Sequence, residues 1–170
     1  MTSLNKKSQY SVAKMLHWMI ALVVVLMLMS GWRTSDFALD DKEFIIMIHS
    51  GLGTTVFLLM LYRWWWRKSN NLYSPQGWQK KPSMLMQWLF YPLLLLQPVL
   101  GFLQALYIDY EVRAFGLISY SSMAGDSEDL FSMFHQWHAL TAGLLILIFL
   151  LHVMDKSRKF FIDDSNSMNE

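Results

Sequence analysis

Four apolar stretches, each long enough to cross a lipid bilayer as a helix, dominate this chain: about residues 15–32, 44–66, 84–108 and 130–153. A hydrocarbon core about 30 Å thick needs roughly 17–25 helical residues. The runs are continuous rather than alternating, and in lipid a helix satisfies its own backbone N–H and C=O groups. The expected fold is therefore all-α, a single integral-membrane four-helix bundle over residues 1–170 with a flexible polar tail at 160–170. Pro92 and Pro98 predict a kink in the third span. The first run follows Lys6, Lys7 and Lys14 as a signal peptide would, but it ends Gly31-Trp32-Arg33 without a small-x-small cleavage site. It is expected to be a retained span.

The basic residues set the expected orientation. Lys6, Lys7, Lys14, Arg63, Arg67, Lys68, Lys80, Lys81, Lys156, Arg158 and Lys159 all fall in segments on one side, eleven of the fourteen in the chain. Cytoplasmic loops carry the Lys and Arg excess, so both termini are expected in the cytoplasm. The opposite loops hold only Arg33, Lys42 and Arg113, against Asp36, Asp40, Asp41, Glu43, Asp109, Glu111, Asp126, Glu128 and Asp129. Trp32, Trp64, Trp65, Trp66, Trp78, Trp88 and Trp137 lie near the span ends, where an aromatic belt belongs.

Five histidines remain, and an ionisable group inside lipid is a functional hypothesis by default. His17 and His152 fall at the cytoplasmic ends of spans one and four. His49 and His138 fall in the outer halves of spans two and four. His138 and His152 are 14 residues apart, about 21 Å along a helix and within about 40° around it, so one helix face carries both. His135 lies roughly 100° away from His152 on that helix, which sets it apart as an interfacial or supporting residue. Two level pairs, each from two helices, suit an octahedral iron already held by four porphyrin nitrogens. Zinc would want three or four protein ligands, and no carboxylate lies in the apolar cores to complete such a set. With no Cys, thiolate catalysis, iron–sulfur clusters and covalent c-type haem are excluded. Ser50-Gly51-x-Gly53 and Thr141-Ala142-Gly143, which follow two of the histidines, are expected to make room for a flat macrocycle. Small residues in membranes serve close helix packing as well.

These residues resemble the bacterial cytochrome b561 family of di-haem membrane cytochromes. The resemblance rests on Leu16-His17-Trp18, Ile48-His49-Ser50-Gly51, Arg63, and Trp137-His138 followed by Leu151-His152, over about residues 10–155. It implies a four-helix bundle of the inner membrane with two haems b, His17 paired with His152 and His49 with His138 as iron axial ligands. Both irons would then be six-coordinate, which leaves electron transfer rather than oxygen activation. It also implies exchange with the quinone pool and, in one branch, oxidation of superoxide to reduce ubiquinone.

The leading expectation is thus transmembrane, quinone-linked electron transfer. The alternative is a cytochrome b anchor subunit wiring a dehydrogenase, a reductase or a basic periplasmic redox protein to the membrane. A histidine-based ion or proton transporter is a third reading, and it predicts no haem. Superoxide is an anion and is repelled by an acidic face unless Arg33, Lys42 or Arg113 forms a local funnel. Candidate quinone contacts are His135, Gln136 and Trp137 outside and Lys14, Arg158 and Lys159 inside. Arg63 and Arg67 are candidates for haem propionates. The expected partners are lipid, quinone or quinol and a redox protein, with room for a homodimer and no nucleic acid.

Overall fold

The computed structural model describes residues 3–32, 39–70, 72 and 82–167. Its elements are α1 (Ser3–Trp32), α2 (Leu39–Ser69), α3 (Pro82–Leu106), β1 (Arg113–Ala114), β2 (Ile118–Ser119), a 3-10 turn (Ser121–Met123) and α4 (Glu128–Ser167). All four helices contain a stretch apolar and long enough to cross a membrane. The surface agrees: Leu22, Met29 and Met154 are more than 60% exposed, as lipid-facing side chains would be.

The helices differ in extent from the apolar runs. α1 begins at Ser3 and α4 continues to Ser167, because the polar residues flanking their spans include no Gly or Pro to end a helix. Pro82 opens α3, where a missing N–H costs nothing. Pro92 and Pro98 both lie inside a helix that stays continuous to Leu106. The backbone N–H of Leu130 reaches Ser127 Oγ (3.5 Å), and Glu128 and Asp129 occupy the first turn of α4, where the helix dipole favours acids.

α1 packs on α2, α2 on α3, and α3 on α4. Ile20, Val56 and Met60 form the central core, with Val24, Met27, Leu94 and Leu95 packed around them. A second cluster, Ala105, Ile108, Val112, Ala114 and Tyr120, lies at the end of the bundle where α3 runs into the β-hairpin.

That hairpin is fastened to α2. Strands β1 and β2 pair antiparallel, with Arg113 opposite Ser119 and Ala114 opposite Ile118. Phe115 N–H donates to the Met47 carbonyl (3.3 Å), and Ser50 Oγ donates to the Arg113 carbonyl (3.3 Å). The Phe115 ring lies on Gly51, where an added Cβ would come within 2.5 Å of it. Gly51 therefore serves hairpin docking rather than the cofactor space expected of it. Gly51→Val should displace the hairpin and destabilise the fold by about 1–3 kcal/mol, the usual cost of overpacking. A thermal melt against the parent chain checks it.

Candidate cofactor sites between the helices

Among the described residues, two cavities lie between the helices, one toward each end. The larger, about 750 Å³, is lined by His49 and His138 together with Gly53, Gly101, Gln104 and Tyr120. The smaller, about 550 Å³, is lined by His17 and His152 with Met60, Arg63, Arg67 and Phe149. Both volumes suit a ligand or cofactor pocket. The four histidines singled out by depth and rotation thus meet in the two expected pairs. His138 and His152 reach different cavities from the same helix.

The spacing of the His49–His138 pair fits a metal ion held between two imidazoles. Their ring centres are 6.3 Å apart, with planes inclined by 68°. A metal–imidazole bond is about 2.0–2.1 Å and each ring centre lies roughly 1.1 Å behind its nitrogen, which puts two facing rings about 6.3 Å apart. The hydrogen bonds fit as well. Ser30 Oγ donates to the Met27 carbonyl (2.9 Å), so it accepts from His49 Nδ1–H (2.9 Å). His138 Nδ1–H donates to the Gln97 carbonyl (3.1 Å). Both imidazoles are thereby held as the tautomer whose Nε2 carries the lone pair, the form in which a histidine binds iron.

Gln97 does more than accept that bond. Its amide Nε2 donates to the His138 carbonyl (3.0 Å), and its Oε1 accepts from the Thr141 hydroxyl. Thr141 is buried, one turn of α4 from His138. Gly101 completes the cradle, since a Cβ there would lie 3.0 Å from His138 Cε1. Gly31 stands close to the His49 ring in the same way, at 3.4 Å. Ser30, Gln97 and Gly101 were missed from sequence. A polar Gln four residues before a Gly, inside an otherwise apolar span, was the available signal. Of the small-residue clusters, Ser50 and Gly53 do line the cavity, whereas a Cβ at Gly143 would meet nothing within 4 Å.

Removing the acceptor of His49 tests this support. Ser30→Ala should weaken metal binding at the His49–His138 site by about 10–100-fold, as losses of such orienting partners do. Haem titration of the apoprotein reads it.

At the other cavity Phe90 packs edge-on to His152 (5.8 Å, 89°) and Trp18 against His17 (5.7 Å). Arg63 Nη1 donates to the Ala13 carbonyl (2.6 Å). Arg67 donates to the Leu72 carbonyl through Nε and Nη2, and to Tyr91 Oη through Nη1 (3.1 Å). With Lys156 these make three cations on the wall, and no carboxylate joins them among the described residues. On the larger cavity Lys42 is the cation on the wall, and Gln104 Oε1 is buried with no hydrogen-bond partner among the described residues.

The remaining candidates separate. His135 lines the larger cavity and stacks on Phe131 (5.7 Å). Gln136 and Trp137 are exposed, as are Lys14 and Arg158, and none of these four lines either cavity. The Lys159 side chain, Arg33 and the tail from 168 lie outside the described residues. Arg113 is paired with Glu111 (2.9 Å), and its guanidinium holds that carboxyl below the usual carboxylate range.

The walls between the cavities are thin. Met27 and Phe57 line one; Val24, Leu28 and Met60 line the other, within about one helical turn along α1 and α2. Val24, Met27 and Met60 of that strip belong to the apolar core. No curated protein compared with this chain matches it. The family model for prokaryotic cytochrome b561 matches residues 9–164, through all four helices and both cavities, and the chain belongs to that family of multi-pass inner-membrane cytochromes, whose work is electron transfer by haem b.

Proposed function

We propose that this chain moves electrons between a quinone and a second redox partner through two haems b, held by His49 with His138 and by His17 with His152. The carrying observation is the His49–His138 pair, 6.3 Å apart with each Nδ1 hydrogen-bonded. A bound haem supplies a one-electron iron couple at each site. With two histidines to hold each haem, the chemistry it would supply is electron transfer rather than oxygen activation. The residues do the rest: Ser30 and Gln97 orient the rings, and the aliphatic strip around Val56 and Met60 keeps water out between the sites. Arg63, Arg67 and Lys156, on the wall of the His17–His152 cavity, would neutralise the propionates of a haem bound there.

The distribution of Lys and Arg supports termini on the cytoplasmic side, with the His49–His138 site toward the periplasm. Quinol is assigned to the periplasmic cavity mouth, where His135 and Lys42 stand with the unpartnered Gln104 Oε1, an acceptor suited to a quinol hydroxyl. His135→Ala should slow quinol-driven haem reduction several-fold while leaving the haem content unchanged. Stopped-flow spectra of the purified chain measure both. Equal rates would remove His135 from the quinone site.

The second reading is service to a basic periplasmic redox protein. Glu43, Asp109, Glu111, Asp126, Glu128 and Asp129 are all exposed around that end. Such a face attracts a cationic partner and repels superoxide. Co-purification of a partner polypeptide, with association falling steeply as salt rises, would favour it.

A further inference from the structure

The β-hairpin is packed against α2 rather than standing clear of the bundle. Its level follows from the helices. The apolar run of α1 ends at Trp32, before Arg33, and Gly31 abuts the His49 ring, so that run stops at about the height of His49. The hairpin docks on α2 across that same height, through the Met47 carbonyl, Ser50 Oγ and the bare face of Gly51. Its base is buried in the bundle. Val112 and Tyr120 belong to the core cluster, Tyr120 Oη and Thr54 Oγ1 share a hydrogen bond, and Tyr110, Val112 and Tyr120 line the His49–His138 cavity.

The tip is apolar and largely exposed, although Ile118 also borders the cavity. Leu117 is 85% exposed, Ile118 51% and Phe115 44%, three consecutive apolar positions but for Gly116. Three of its backbone donors already have partners. Gly116 N–H donates to the Arg113 carbonyl (3.4 Å), Leu117 N–H to the Ala114 carbonyl (2.9 Å), and Phe115 N–H to Met47. Each donor paired in this way lowers the cost of leaving water. The charged pair Glu111–Arg113 stays exposed at the base, as headgroup-level residues do. Phe115 also holds φ at +48°, a conformation costly for a bulky side chain and kept by its seat on Gly51.

We propose that the tip, residues 115–118, is inserted into the headgroup–acyl boundary of the bilayer beside α2 and anchors the lid of the His49–His138 cavity to lipid. An apolar cap of this size, continuous with the lipid-facing surface of α2, belongs in that layer rather than in water. Lid position then depends on the lipid around it as well as on the protein beneath.

The absence of Cys makes the test clean. A nitroxide spin label is placed at Leu117→Cys, and at Asp126→Cys on the exposed segment before α4, in vesicles of mixed zwitterionic and anionic phospholipid. Label relaxation is measured with oxygen, which concentrates in lipid, and with a water-soluble nickel chelate. Lipid insertion predicts oxygen access dominating at 117 and nickel access dominating at 126. Nickel access dominating at both sites overturns the proposal. So does a label at 117 shielded from both, which would place a second copy or another protein on the tip. An unchanged haem spectrum certifies the fold of each labelled chain. Should the label at 117 disturb it, the unlabelled Leu117→Cys chain is reacted with a membrane-impermeant maleimide: slower reaction than at Asp126→Cys is expected, and equal rates overturn the proposal.

Discussion

Replacing His138 with alanine is expected to halve the haem bound per chain. On the proposed pairing, the surviving haem should keep the spectrum of the site assigned to His17 and His152. His138 is one of the two facing imidazoles on the larger cavity, which His135 also lines, and with that pairing the ring of His49 could not hold the iron alone. The other cavity has its own pair of rings and its own cations, about 21 Å along α4, far enough for the two sites to respond independently. The variant should also melt at a lower temperature, because a group that binds only the folded chain stabilises it by mass action. Pyridine haemochrome assay against protein concentration gives the stoichiometry directly. Loss of both haems from a chain that still folds would show that the pairing of the histidines is wrong.

Gly101→Val should come close to the same result without touching a ligand. A Cβ at Gly101 would already lie 3.0 Å from His138 Cε1 and 3.3 Å from Nδ1, and valine adds two methyl groups beyond it. The ring cannot swing aside freely, since Nδ1 is tied to the Gln97 carbonyl on the same helix, one turn back. Either that hydrogen bond breaks or α3 moves away from α4, at a cost of about 1–3 kcal/mol. We expect one of two low-spin signals in the electron paramagnetic resonance spectrum to shift or vanish, with the other unchanged. Gly101→Ala should show the same change in smaller degree. Gly143→Ala, at a position open to space, is the control and should leave both signals in place.

Much of this arrangement was legible in the order of residues. Span length and unbroken hydrophobicity specify a helix in lipid without reference to any neighbour, so four helices could be read directly. Counting at 100° per residue placed His138 and His152 on one face of α4, and they do reach two cavities from it. What the residues around those rings do was not legible. Gln97 and Ser30 act through partners 41 and 19 positions away, a relation set by how the helices pack. The hairpin was equally hidden. Its strands are two residues each, too short to show alternation, and they are held by α2 rather than by their own propensity. Gly51 shows the ambiguity most clearly. A small residue beside a candidate ligand reads as space for a cofactor, yet the space is taken by a ring from residue 115.

Because α4 feeds both cavities, the stretch from 138 to 152 tolerates substitution far better than it tolerates a change of length. An inserted or deleted residue anywhere within it would turn one histidine about 100° relative to the other and carry it out of its cavity. Loops elsewhere in the chain can drift in length over evolutionary time. This helix keeps count for the whole molecule, and relatives that bind haem in both cavities should preserve its 14-residue interval whatever letters fill it.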